Sequence, residues 1–165
     1  MTVSATVEDW SRENKRFFSW QPSRALLASI RSYQRHTGSI NPIHIFLKKY
    51  AVLRHRFWTA ITGAEIHLNC QIGGGLLLPH PNGIVIHPSV KIGPNCLIFQ
   101  QVTIGTRAGG IPPVIGGHVD IGAGEKILGD IRIGDHICIG ENAVVLQDVP
   151  SGKTAVGIPA VIIEK

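Results

Sequence analysis

Long apolar runs are missing from this chain: nowhere do its residues approach the roughly 20 consecutive apolar positions that a bilayer-spanning helix needs. The N-terminus, where Glu8, Asp9 and Arg12 stand close together, lacks the apolar stretch of a secretory leader. Cysteine is scarce and odd in number (Cys70, Cys96, Cys138), with no CxxC pair. That pattern argues against paired thiols and for three small reduced residues in a cytoplasmic protein. Acidic charge is thin at the start. Residues 1–60 hold ten Lys/Arg against three Asp/Glu, whereas residues 61–165 hold six against eight. The basic character therefore belongs to an N-terminal extension, and the pI gives no ground for reading the whole protein as a nucleic-acid binder.

What is present is a beat of six. From Ile115 an aliphatic residue recurs at every sixth position, through Ile121, Ile127, Ile133, Ile139 and Val145, and glycine often follows it. The same beat runs earlier through Ile66, Ile72, Leu78 and Ile84, then Ile92, Ile98 and Ile104 after a two-residue shift. A period of six matches neither the 3.6 of a helix nor the 2 of an ordinary strand. It is the signature of a parallel β-helix, in which three hexads close one triangular coil. Coils are expected from about Ile66 to Val149, with glycine at close or left-handed corner positions. The beat breaks between Ile104 and Ile115, so Thr106 to Pro113 must bulge from the wall as a loop, where function is often placed.

Residues 1–63 read as an extension and residues 64–165 as the repeat domain. An arm (1–21, with Trp10, Phe17, Phe18 and Trp20) precedes a helix that opens at Pro22 and Ser23 and ends by Gly38. Asn41 as N-cap and Pro42 begin a second, strongly basic helix that runs to about Ile61, with Gly63 beyond. A solenoid needs its open end covered, and this helix is expected to pack on the coil end or on a neighbouring subunit. The alternative is contact with an anionic membrane face.

His36, His44 and His55 are expected at the surface. His118 and His136 are eighteen apart and so stack on adjacent coils, which raises metal binding only as a minor reading; no metal is expected. His80 differs. It lies in Leu78-Pro79-His80-Pro81-Asn82-Gly83, stiffened by a proline on each side, and a rigidly mounted imidazole suits general-base chemistry.

With the hexads, this histidine, Thr103-Ile104-Gly105 and the late loop in place, residues 65–160 resemble the serine acetyltransferase family. Pro79-His80-Pro81-Asn82-Gly83-Ile84-Val85 resembles its DHATGIV motif, and the segment Ile121 to Gly129 (IGAGEKILG) resembles its IGAGAKILG. Gln100 to Gly105 corresponds to LQxVTLGG, and Val149-Pro150 followed by Gly157-Ile158-Pro159-Ala160 to its exit from the coils. The resemblance implies a left-handed β-helix, a homotrimer with sites between subunits, and acetyl-CoA as co-substrate. It implies His80 as the catalytic base and Glu65 as the acidic residue that orients it. It also places Ala123 and Glu141 against the coenzyme, with Gly105, Thr106 and Gln147 in the same groove. Three departures stand out: Glu65 where the family has aspartate, Pro79 in place of the aspartate before the histidine, and Pro112 where the family has a second histidine. The tail that grips cysteine synthase is almost absent, so that partner is not expected.

The implied chemistry is direct acetyl transfer to a hydroxyl, without an acyl-enzyme, since no side chain resembles an activated covalent nucleophile. Because Pro79 and Pro112 remove groups suited to an amino acid, the expected acceptor is a small-molecule or sugar hydroxyl, such as an envelope or exopolysaccharide precursor. Serine is the main alternative acceptor. A metal enzyme resembling the γ-class carbonic anhydrases and a catalytically idle scaffold are the other two readings. The expected location is cytoplasmic, with peripheral membrane contact through the basic helix.

Overall fold

A computed structural model describes residues 3–15 and 19–164; Phe17 and Phe18 of the expected arm lie outside the described residues. The extension forms a short 3-10 turn (Trp10–Glu13), helix α1 (Pro22–His36) and helix α2 (Pro42–Thr62). The ends of α2 follow the sequence: the Asn41 side chain accepts the Ile43 N–H at 2.9 Å, and Gly63 closes the helix with a left-handed backbone.

The rest winds into five coils. The first holds β1 (Glu65–Ile66), β2 (Gln71–Ile72) and a single bridge at Leu77; the second holds β3 (Val85–Ile86), β4 (Lys91–Ile92) and β5 (Leu97–Ile98). The third holds β6 (Thr103–Gly105), β7 (Val114–Ile115) and β8 (Asp120–Ile121), and the fourth β9 (Lys126–Leu128), β10 (Arg132–Ile133) and β11 (Cys138–Ile139). The fifth holds β12 (Val144–Val145), a bridge at Val149 and β13 (Thr154–Val156), on which β14 (Val161–Ile163) folds back antiparallel. Equivalent strands pair in parallel, giving three faces: β1-β3-β6-β9-β12, then β2-β4-β7-β10, then β5-β8-β11-β13. The coil is a left-handed β-helix.

Two side chains per hexad face the axis, the beat residue and the residue two before it, as in Ile84/Ile86, Val90/Ile92 and Cys96/Ile98. This corrects the sequence phase at one point. Ile86, not Ile84, stacks between Ile66 and Ile104, so the two extra residues sit in the Pro79–Gly83 turn and not after Ile84. The coils also run further than Val149, because β13 still pairs in parallel with β11.

The recurrent glycines after the second-face beat serve close approach. A Cβ on Gly93 would lie 2.5 Å from the Gly116 backbone, and one on Gly116 would lie 2.6 Å from the Gly134 carbonyl. The left-handed positions come two residues later, at Asn95, His118 and His136.

Capping falls mainly to α1, with α2 adding Trp58 against the core. Leu26, Leu27 and Ile30 join the core, Arg31 donates to the Ile72 and Gly73 carbonyls, and Gln34 donates to those of Leu68 and Cys70. These bonds satisfy carbonyls that an uncovered first coil would leave bare. The arm straps the edge between the second and third faces. Buried Asn95 accepts the Asp9 N–H and donates to the Ser4 and Val7 carbonyls, while Glu13 pairs with Arg31 and accepts from the Gly75 and Leu76 N–H groups.

Candidate active site

The edge between the third and first faces carries the candidate base. The Pro79–Gly83 turn is held by backbone bonds from Gly83 N–H to the Gly63 carbonyl (2.9 Å) and from Gln101 N–H to the Asn82 carbonyl (3.0 Å). The Gln101 amide also donates to the Asn82 side chain at 3.1 Å. His80 projects from this turn, exposed, with its ring centroid 6.5 Å from that of Phe99 on the next coil. Its ring nitrogens have no hydrogen-bond partner among the described residues, which leaves both available to a reacting molecule.

Directly along the same edge stand Gln100, Ala123 and Glu141. The Gly124 N–H donates to the Gln100 carbonyl at 2.9 Å and the Asn142 N–H to the Ala123 carbonyl at 2.8 Å, so the corners are locked coil to coil. The edge is narrow because it is built from Gly122-Ala123-Gly124 and Gly140. Sequence reasoning passed over Lys126, which stands on the first face beside this edge. Its ammonium donates to the Gln101 and Gly124 carbonyls at 2.9 and 3.0 Å, fixing a positive charge between the coil of His80 and that of Glu141. The available signal was the lysine of the IGAGEKILG segment.

Gly105, Thr106 and Gln147 lie across the first face, at its other edge. Gly105 ends β6, its carbonyl accepts the Gly129 N–H at 3.0 Å, and Gln147 donates to the Ala160 carbonyl at 3.2 Å. The loop 106–113 folds over this edge as expected. Arg107, Ala108, Gly110 and Ile111 form a cleft of about 410 Å³ with residues 128–131 and Leu146. Glu65 is the first outward side chain of the first face, in register with Val85, Thr103, Lys126 and Val144. Within one chain it makes no hydrogen bond to His80. The seven singled-out residues thus lie on or beside one face, while a larger cleft, about 660 Å³, lies elsewhere, on the second face under α1. Cys70 and Lys91 line that cleft, but burial pushes the Cys70 thiol up to about 11 and so keeps it protonated, and the chemistry of the first face outweighs the cleft's size.

The other histidines behave less simply than expected. His118 and His136 stack as the spacing requires, their Nδ1 atoms 2.8 Å apart. Among the described residues no cluster of three metal-ligating side chains occurs. His36, His44 and His55, all expected at the surface, are half-buried. Burial, with the nearby His67, lowers the pKa of His55.

One buried polar group was not anticipated. Glu125 occupies a core position between Val102 and Ala143 and is fully buried. Burial pushes its carboxyl up to about 9.

A parallel β-helix whose first face is bordered by a stiffly mounted imidazole and a small-residue edge defines a hexapeptide-repeat protein with a candidate site on that face. No family profile matches the chain. A serine acetyltransferase from Synechococcus elongatus is 43% identical over 108 residues, 64% of this chain and 44% of the relative. One from Helicobacter pylori is 46% identical over 108 residues, 64% of this chain and 63% of the relative. Among solved structures, a serine acetyltransferase in complex with CoA superposes with a TM-score of 0.72 at 31% identity, covering 87% of this chain and 58% of that one. A soybean serine acetyltransferase complexed with serine gives 0.69 at 32% identity, covering 86% and 56%. Over its repeat domain the chain is similar to serine acetyltransferases in both sequence and structure, consistent with a member of that family. It spans roughly half the length of the relatives it matches.

Proposed function

We propose that the chain is an acetyl-CoA-dependent O-acetyltransferase with His80 as its general base. The observation that carries this reading is the placement of His80 on a two-proline turn, on the same edge as Ala123 and Glu141. His80 takes the proton of the acceptor hydroxyl as that oxygen bonds to the thioester carbonyl carbon. The C–S bond then breaks, and the departing thiolate recovers the proton from the imidazolium. Acetyl ester and free CoA result, and the base is regenerated. Such a base contributes roughly 10²–10⁴-fold. The coenzyme lies along the small-residue edge past Ala123 and Glu141, with the Lys126 ammonium beside it, and Gly105, Thr106 and Gln147 border the far side. Gly105 and Thr106 lie across the face from His80 within one chain, so a backbone N–H there would meet the developing oxyanion only from a neighbouring subunit of the trimer.

A homotrimer belongs to this reading. Glu65 and His80 do not meet within one chain, so an orienting role for Glu65 has to be completed at a seam between subunits. Free Cys70 and Cys96, their thiols pushed up to about 11 by burial, suit a reducing, cytoplasmic setting.

For the acceptor, the relatives favour the hydroxyl of serine over the sugar hydroxyl expected from the sequence. A sugar acceptor stays as the second reading on one observation: Pro112, in the loop beside the 410 Å³ cleft, can neither donate a hydrogen bond nor carry charge. The deciding experiment measures CoA release from acetyl-CoA with serine and with free sugars. Saturable turnover with serine supports the first reading, and turnover with sugars alone replaces it. Absence of both turnover and CoA binding would leave a scaffold.

A further inference from the structure

Helix α2 was expected to pack on the coil end or on a neighbouring subunit; α1 closes the coil, and α2 adds only Trp58 at its margin. What α2 presents outward is a continuous apolar stripe. Ile43, Phe46, Tyr50, Leu53, Phe57 and Ile61 recur at three- and four-residue spacing, and each is between 46% and 68% exposed. Such spacing keeps them on one side of the helix. The buried line of the same helix, through Ala51 and Thr62, is turned toward α1 and the coils. An apolar stripe five turns long is not a normal solvent face.

Its surroundings specify the occupant. The α2 sequence contains no acidic residue; Lys48 turns to the Tyr33 ring of α1 at 5.0 Å, which leaves Lys49, Arg54 and Arg56 beside the stripe. Arg54 reaches along the stripe, its guanidinium 5.8 Å from the Tyr50 ring. At the C-terminal end the rings form a cluster. Phe57 packs edge-on to Trp58 at 5.0 Å, Trp20 does the same at 5.7 Å, and the Lys15 ammonium stands 5.6 Å from the Trp58 ring. Trp20 itself is largely exposed. Two copies of α2 brought stripe to stripe would set cations against cations with no carboxylate on either helix to answer them. An anionic bilayer surface answers both features at once. Its headgroups meet the Lys and Arg side chains, its acyl boundary takes the stripe, and amphipathic tryptophans suit the interface between them. No described helix is long and apolar enough to cross a membrane, so α2 lies in the surface and does not span it.

We propose that α2 is an interfacial helix that docks this protein, peripherally, on anionic lipid. The placement leaves the catalytic reading untouched, since the stripe lies on the extension and His80 on the coils; either can fail alone.

The test is flotation of the full chain with vesicles of phosphatidylcholine alone and of phosphatidylcholine with phosphatidylglycerol. The expected result is binding to the anionic vesicles only, weakened by salt. The pairs Phe46→Ser/Leu53→Ser and Lys49→Glu/Arg56→Glu should each weaken that binding at least about tenfold, as loss of ~1 kcal/mol per basic residue implies for the second pair. All four side chains are exposed, and the circular dichroism melt of each variant should match that of the parent. Sedimentation velocity on the same samples covers the other occupant. No binding to anionic vesicles, equal binding to neutral ones, or a drop in assembled mass in the Phe46/Leu53 variant would each overturn the proposal.

Discussion

Glu125 accepts the Gly122 N–H through Oε1 at 2.8 Å, while its buried Oε2 meets no donor among the described residues. Burial is the main reason its carboxyl rises to about 9. The Gly122 N–H opposes the rise, the Glu141 charge adds to it, and Lys126 opposes it. A protonated acid is the form that this core tolerates.

A pH dependence follows, with a definite sign. Unfolded, the group titrates near 4.5; folded, near 9. The folded chain therefore holds a proton that the unfolded chain releases, and stability is fully present below about 4.5. It is lost progressively as pH rises toward 9, by at most about 1.4 kcal/mol per pH unit. Denaturant midpoints at pH 5, 7 and 9 should fall in that order. Glu125→Gln, uncharged at similar volume, should flatten the slope; an unchanged slope would place the titration elsewhere.

For His80→Asn we expect transfer to fall by about 10²–10⁴-fold, with CoA affinity retained. The ring is exposed and packs only loosely against Phe99, so thermal stability should change little. Loss of binding together with turnover would mean that His80 holds ligand and does not move the proton.

Gly116→Ala should destabilise the coils by about 2–4 kcal/mol. The new methyl would meet the Gly134 carbonyl at 2.6 Å and the Asp135 side chain at 2.5 Å, and backbone cannot yield as a flexible side chain can. Gly152→Ala meets nothing within 4 Å and suffers only from its left-handed backbone, about 1 kcal/mol. The difference between their melting temperatures isolates the close approach.

Asn95→Gly keeps the left-handed corner while removing the side chain that ties down Ser4, Val7 and Asp9. Three bonds at roughly 1 kcal/mol each are at stake. Limited proteolysis should cut between residues 3 and 13 faster than in the parent, with the coils intact. Unchanged cleavage would show that the bonds of Glu8, Arg12 and Glu13 suffice to hold the arm.

The hexads were legible because the beat position on each side of the triangular coil is aliphatic and stacks on its counterpart one coil away. Ile104, Ile127 and Val145 stack from coil to coil because each had to meet the next. The phase near Ile84 was misread because two inward positions per hexad are both aliphatic there, and a one-dimensional beat cannot tell corner from strand. His80, Ala123 and Glu141 were found through motif resemblance; their shared edge became visible only when coils of unequal length were laid in register. Glu125 escaped notice because a lone carboxylate in a sequence reads as surface, and only packing shows that it is sealed.

By itself the sequence determined the repeat, the loop at 106–113, the two helices with the caps of α2, and the stiff mounting of His80. Each is set within a few residues, by periodicity, proline, glycine or an N-cap side chain. The tertiary structure alone decided that α1 closes the coil, that the arm is strapped at Asn95, that Glu125 is dry, and that the apolar stripe of α2 faces outward. Those outcomes depend on which surfaces compete for the same partner across tens of residues, and local pattern carries no record of who wins.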